Sequence, residues 1–113
     1  MGFTVDTGSY GALFPVKAIA GSNVIVVTGQ FDFDDKYPTG GESMDISAYF
    51  PNKVLGVLFE NKGGYVFEYD YNNKKVIAYH GDNDGTSDGP LVEVGNETDL
   101  QTITGVRFIA YGV

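Results

Sequence analysis

Apolar and polar residues alternate along several stretches of the chain. The pattern is clearest from Tyr65 to Tyr71, where every second residue is aromatic and the residues between are mostly polar or charged. An alternation with a period of two predicts a β-strand with one buried face. No window of about eleven residues has the period of an amphipathic helix. The pattern therefore predicts an all-β protein.

About seven or eight strands follow from this pattern, at a spacing of roughly 8–12 residues. Pro15 indicates an edge position for its strand, and Gly29 indicates a bulge or a bend. The stretch 53–60 is almost continuously apolar, which predicts a central strand covered on both faces. The clearest strands are 13–20, 23–33, 53–60, 65–71, 74–80, 91–94 and 105–111.

This spacing is typical of an antiparallel β-sandwich, a jelly-roll-like fold or a small barrel. At 113 residues the chain has the usual size of one domain. We expect a single β domain over 13–113. Residues 1–12, which include three glycines, are expected to form an N-terminal arm that orders on contact with a partner.

The segment 65–80 predicts a β-hairpin. Asn72 and Asn73 tolerate positive φ, as a two-residue type I′ turn requires. Such a turn places Asp70 opposite Lys75 as a charge pair on one face. On the other face the same register places Tyr69 opposite Val76 and Phe67 opposite Ala78.

Two further segments have local signals. Residues 34–42 have the composition of a loop. Residues 45–50 predict one short helical turn, with Asp45 as its cap and Pro51 at its end.

Composition narrows the functional classes. The formal net charge is −8, which would repel nucleic-acid phosphates and anionic lipids, so neither is expected as a partner. The chain has no cysteine, which excludes disulfides and thiolate metal sites. The first residues lack the charged and apolar regions of a signal peptide, and no apolar run is long enough to span a bilayer. We expect a protein made in the cytoplasm.

Candidate catalytic groups are few, and we expect no enzymatic activity and no cofactor. His80 is the only histidine and has no serine nucleophile in a suitable turn, so we interpret it as a strand-end residue. Asp32 and Asp34 would share one face about 7 Å apart, which permits glycoside hydrolysis but fits a solvated strand end better. Gly40-Gly41 and Gly63-Gly64 lack the residues that follow in a phosphate loop.

The loop Asp82–Asp88 is rich in oxygen ligands and could hold a calcium ion. Against this, the residue at position 12 of an EF-hand loop would be Glu93, which lies in a predicted strand, and no flanking helices are predicted. We therefore interpret the loop as a surface turn whose side chains cap their own backbone, with no metal site.

Tyrosine side chains are the best candidates for binding. Tyrosine combines a large apolar ring with a polar tip and is enriched at interaction hot spots. Tyr71 at the end of the hairpin strand, and Tyr37 and Tyr49 in the loops, are the predicted interface residues. The alternative for the hairpin aromatics is a core face, which we accept for Phe67.

Several segments share turn-and-strand motifs with a known group of proteins: Tyr37-Pro38-Thr39-Gly40-Gly41-Glu42, Gly63-Gly64-Tyr65-Val66-Phe67-Glu68-Tyr69-Asp70-Tyr71, and the closing segments 91–94, 98–100 and 106–112. In these motifs the chain resembles small structural proteins of tailed bacteriophages. The resemblance implies a virion component, for example a decoration (cement) protein that binds and stabilises the lattice of the major capsid protein. It also implies a location on the capsid surface. The matching motifs are turns and strands, so no functional residue is carried over.

Cyclic oligomers suit symmetric positions on a capsid lattice, so a homotrimer is expected. Two other binding roles stay open. The chain could be a tail- or fibre-associated virion protein, or a carbohydrate-binding β-sandwich module, although it lacks tryptophan for a sugar platform.

Overall fold

Antiparallel strands form two sheets in a computed structural model that describes residues 2–5, 13–17, 23–81 and 89–113. The described residues contain nine strands and one 3₁₀ turn at Ser47–Tyr49. The strands are β1 (Gly2–Val5), β2 (Leu13–Lys17), β3 (Asn23–Asp32), β4 (Glu42–Ser43), β5 (Val54–Phe59), β6 (Val66–Asp70), β7 (Lys75–His80), β8 (Val92–Glu93) and β9 (Val106–Gly112).

The larger sheet has the order β1-β3-β9-β5, and β2 also pairs with β3. Both β1 and β2 lie along the same side of the long strand β3, one after the other. On its other side β3 pairs with β9, and β9 pairs with β5. In the described residues β5 is therefore an outer strand, with no strand on its other side.

The smaller sheet has the order β4-β7-β6, and β8 also pairs with β7. The chain enters this sheet at β4, returns to the larger sheet for β5, comes back for β6, β7 and β8, and ends in the larger sheet with β9. Strand β6 is the outer strand next to β5 of the larger sheet. One side of the molecule therefore carries the outer strands of both sheets.

The two sheets pack face to face as a small β-sandwich, which confirms the predicted all-β fold. Alternate residues of β9 and of the β6–β7 hairpin point into one core. Phe33, just beyond the larger sheet, stacks on Phe67 of the smaller one with ring centroids 5.2 Å apart. Phe31 meets Phe33 edge to face at 4.9 Å. Aromatic contacts thus join the sheets.

The predicted hairpin register is confirmed, but the predicted turn is wrong. Asp70 pairs with Lys75 and Tyr69 with Val76, as expected. The connection has four residues, 71–74, and Lys74 adopts the positive φ of 57°. The two-residue turn also predicted Tyr71 opposite Lys74, a pair that is absent because both residues belong to the loop. A symmetric extension of the loop by one residue on each side leaves the pairs from Asp70–Lys75 onward unchanged. The Asp70 carboxylate accepts hydrogen bonds from the backbone N–H groups of Asn72 and Asn73 at 3.0 and 3.1 Å.

Two further predictions about strands are corrected. The stretch 53–60 was expected to be central, but β5 is an outer strand and exposes Leu55 and Leu58. Gly29 was expected at a bulge or bend, but it pairs regularly with Phe108. A Cβ at Gly29 would collide with the Thr4 carbonyl and the Phe108 ring, so glycine is needed there for close approach.

Several local predictions agree with the structure. Pro15 lies in an outer strand. The turn near 45–50 exists as 3₁₀ helix, and the Asp45 carboxylate accepts a hydrogen bond from Ser47 N–H at 3.0 Å, although the N-cap residue is Ile46. The final strand is also confirmed, as β9.

The N-terminal segment is described only in part. Residues Gly2–Val5 form β1, and Phe3 and Val5 pack against the core. These four residues are thus an outer strand of the sheet in this chain. Residues 6–12 lie outside the described residues, and the role of an arm that orders on a partner stays a prediction. In the described part of the chain, no helix has the length and apolar character needed to cross a membrane.

Candidate interaction surface

Exposed apolar side chains are concentrated on the outer face of β5 and β9. Leu58 is 63% exposed and lies directly opposite Ile109, which is also exposed. The Tyr111 ring lies over Gly56, where any Cβ would collide with it. An aromatic ring that covers a glycine in a neighbouring strand protects the backbone of that strand. Together with Leu55, these side chains form what we call the β5 surface: Leu55, Leu58, Ile109 and Tyr111.

The β5 surface continues into a groove between the outer strands of the two sheets. The groove has a volume of about 640 Å³. Its walls come from β5 and β6, and Tyr71 and Leu91 lie at its rim, each about half exposed. Contiguous apolar surfaces of this kind mark binding sites on proteins more often than isolated apolar residues do.

Tyr71 joins the two sheets at the end of this groove. Its hydroxyl accepts a hydrogen bond from the Val57 N–H at 3.0 Å, a backbone group on the free side of β5. Its ring meets Tyr69 edge to face at 5.2 Å. The side chain is 49% exposed, so the predicted interface residue is in a position to contact a partner.

A second, smaller cleft lies on the other side of Tyr71. It has a volume of about 380 Å³, and Lys53 and Lys74 line it. Lys74 Nζ lies 3.9 Å from Asp45 Oδ2 in an exposed ion pair. The pKa of Asp45 is lowered mainly by hydrogen bonds from Ser47. The cleft presents positive charge in an acidic chain, which the sequence did not predict.

The other two predicted interface tyrosines differ. Tyr49 lies on the 3₁₀ turn, partly buried against the core. Tyr37 has no exposed surface: its hydroxyl donates to Glu93 Oε2 at 2.9 Å and accepts from Ala78 N–H at 3.1 Å. Burial raises the pKa of Tyr37 well above its usual value. The prediction that Tyr37 contacts a partner is corrected, because the residue instead ties the loop before β4 to the smaller sheet.

The most unusual titratable group is Glu42, which sequence reasoning assigned to a loop. It lies in β4 opposite Val76, is 2% exposed, and its Oε1 has no hydrogen-bond partner among the described residues. Burial, and then the negative charge of Asp34, raise the pKa of Glu42 to about 7. The alternation Glu42, Met44, Ile46 is the signal that could have placed Glu42 on the buried face.

The candidate catalytic side chains contact backbone groups. Asp32 Oδ1 accepts from Gly105 N–H at 2.7 Å, and Asp34 Oδ1 accepts from Lys36 N–H at 3.0 Å. His80 is exposed, with Nδ1 2.9 Å from the Gly81 carbonyl oxygen. Asp34 thus caps its own turn, as short acidic side chains commonly do, whereas Asp32 joins the end of β3 to the residue before β9.

The loop Asp82–Asp88, which was weighed as a calcium site and interpreted as a surface turn, lies outside the described residues. Glu93, at the twelfth position counted from Asp82, lies within the described residues and already has hydrogen-bond partners. Its Oε2 accepts hydrogen bonds from the Tyr37 hydroxyl and from Gly40 N–H, at 2.9 and 2.7 Å. In the parts of the chain that the structure describes, no group of three or more His, Cys, Asp or Glu side chains could hold a metal ion.

Comparisons with protein-family models, with curated proteins and with solved structures found no match. Among the described residues, the β5 surface, the groove and Tyr71 are the features best suited to contact a partner.

Proposed function

We propose that the protein is a structural component of a bacteriophage virion, which decorates the capsid and stabilises the lattice of the major capsid protein. The observation that carries the proposal is the half-exposed Tyr71, which lies between the apolar groove and the lysine cleft of an antiparallel sandwich. The proposal also draws on the resemblance described above to small structural proteins of tailed phages.

The scaffold suits a role in binding. Phe31, Phe33 and Phe67 link the two sheets by ring contacts, and the buried Tyr37 hydroxyl links a loop to the smaller sheet. A surface that is held rigid loses little conformational entropy when it binds. The fixed groove and Tyr71 can therefore contribute most of their contact energy to a partner.

The contact that we propose for the capsid consists of Tyr71, the rim of the groove and the neighbouring lysine cleft, which Ser47 of the 3₁₀ turn also lines. Tyr71 supplies an exposed ring with a polar tip, the usual chemistry of a hot spot. Lys74 offers positive charge to an acidic patch of the capsid protein. The rest of the strongly acidic surface faces solvent and keeps the protein soluble.

Cosedimentation with empty capsids of the phage that encodes the chain tests this proposal. The unchanged protein is expected to pellet with capsids and to resist a mild wash. Tyr71→Ser is expected to weaken binding about tenfold or more, as for a hot-spot residue. Val92→Ser is the matched control, because Val92 is similarly exposed but lies on β8.

Failure of the folded, unchanged protein to pellet with capsids would contradict the proposal. Binding to purified tails instead would identify a tail- or fibre-associated component. Binding to an array of glycans, with no affinity for capsids, would favour a carbohydrate-binding module.

A further inference from the structure

We infer that β5 is the contact between two copies of this chain, which pair antiparallel about a twofold axis at Val57 and join their larger sheets into one. This inference refines the homo-oligomer expected from the sequence. It uses the edge of β5, whereas the proposed capsid contact is centred on Tyr71. It favours a twofold contact over the expected trimer. A failed capsid assay and a failed measurement of self-association are therefore distinguishable.

The first reason is the condition of the β5 edge. Outer strands expose unpaired backbone groups, and proteins usually protect them with charges or proline. β6 contains Glu68 and Asp70, and β2 contains Pro15 and Lys17. β5 has six residues, Val-Leu-Gly-Val-Leu-Phe, and none of them is charged or proline.

The second reason is the direction of the backbone groups. The backbone N–H groups of Lys53 and Glu60 donate to the carbonyls of Val113 and Arg107, so the backbone of these two residues is directed towards β9. Alternation along the strand then directs the backbone of Val54 and Phe59 to the free side. Val57 also faces this side, where its N–H bonds the Tyr71 hydroxyl. These are the groups that a second strand would pair with.

The third reason is that β5 is complementary to itself. The register shifts between Val54 and Gly56, so Leu55 is an extra residue at a β-bulge. With the bulge counted as one position, a twofold axis at Val57 places Phe59 opposite Val54 of the second copy. The two side chains of each pair then point to the same face of the joined sheet, as antiparallel pairing requires.

The same register matches side chains. Leu58 comes to lie beside Leu55 of the second copy, so each leucine covers part of the other's exposed apolar surface. Glu60 comes opposite Lys53 of the second copy, and symmetry creates this charge pair twice. The bulge makes this pairing of leucines possible, because strict alternation along a regular strand would place Leu55 and Leu58 on opposite faces of the sheet.

The fourth observation is the hydrogen bond of Val57, which Tyr71 holds in the single chain. In the pair, the Val57 N–H exchanges the Tyr71 hydroxyl for a carbonyl of the second strand.

Sedimentation equilibrium with charge-swap variants tests the inference. The unchanged protein is expected at twice its mass of 12.2 kDa. Lys53→Glu and Glu60→Lys each place like charges opposite one another at two sites, which should raise the dissociation constant about tenfold. The double variant restores opposite charges and should return the constant to near its original value. Lys36→Glu, at an exposed loop position, is the matched control and should not change it.

Amide hydrogen exchange provides a test that needs no variant. The Phe59 amide, which faces the free side of β5, should exchange more slowly in concentrated than in dilute protein, because pairing gives it a carbonyl partner. A monomer at all concentrations, a trimer, or a double variant no better than the single ones would overturn the inference. So would a dimer whose Phe59 amide exchanges at the same rate at every concentration.

Discussion

The stability of the protein should fall as the pH rises from about 4.5 to about 7, because of Glu42. This carboxyl is 2% exposed and lies near Asp34, and its pKa in the folded protein is about 7 against 4.5 for the free side chain. Below pH 4.5 the group is protonated in both the folded and the unfolded chain. Between the two values only the folded chain keeps the proton, so rising pH favours unfolding. Above about pH 7 Glu42 is ionised in both states, so its contribution to the free energy of unfolding no longer changes with pH.

The size of the effect follows from the difference between the two pKa values. One pKa unit corresponds to 1.36 kcal/mol, so Glu42 lowers the free energy of unfolding by about 3 kcal/mol over this range. Glu42→Gln removes the ionisation and keeps the shape of the side chain. Its amide can donate to Asp34. The variant should therefore be more stable than the unchanged protein at pH 8, by up to about 3 kcal/mol.

Urea unfolding followed by far-UV circular dichroism at several values between pH 4.5 and 8 measures this effect. The unchanged protein should lose stability across the range, and Glu42→Gln should show a much smaller slope. Glu68→Gln is the control, because Glu68 is exposed and its replacement should leave the slope intact. Equal slopes in the unchanged protein and in Glu42→Gln would refute the argument.

Two substitutions test the packing of the scaffold by the same urea assay at pH 6. Phe33→Ala should lower the free energy of unfolding by about 3–5 kcal/mol, because it removes the ring that stacks on Phe67, and a loss below about 1 kcal/mol would contradict this. Tyr37→Phe should cost about 1–3 kcal/mol, because it leaves Glu93 and a buried N–H of β7 without their hydroxyl partner; an unchanged midpoint would show that these bonds contribute nothing.

The sequence predicted those elements whose structure is local. In the β6–β7 hairpin, alternation fixes which residues are buried, and the short connection fixes the register. The turn itself was mispredicted. The Asp70 carboxylate organises a four-residue loop, and Lys74 rather than an asparagine takes the left-handed conformation. The alternating pattern does not distinguish a two-residue loop from a four-residue loop, because both give the same pairs from Asp70–Lys75 onward.

The position of a strand in its sheet was less predictable. A continuous apolar run such as 54–59 fits a central strand and also an outer strand with an exposed apolar face. Only the pairing of β9 with both β3 and β5 decides between them. Tyr37 and Glu42 were misassigned for a related reason: both are polar residues in a glycine-rich segment, and long-range contacts with β7 and β8 bury them.

The candidate site was predicted only in part. Tyr71 was singled out by its place at the end of an aromatic strand and is exposed as expected. The β5 surface was missed for two reasons. The bulge in β5 breaks the alternation that would have placed Leu55 and Leu58 on one face, and Ile109 and Tyr111 join them only when β5 pairs with β9.

Images of empty capsids, with and without the added protein, test the central claim most directly. The account predicts additional density at regular lattice positions on the outer capsid surface, which disappears with Tyr71→Ser. Capsids that look the same with and without the folded protein would contradict it.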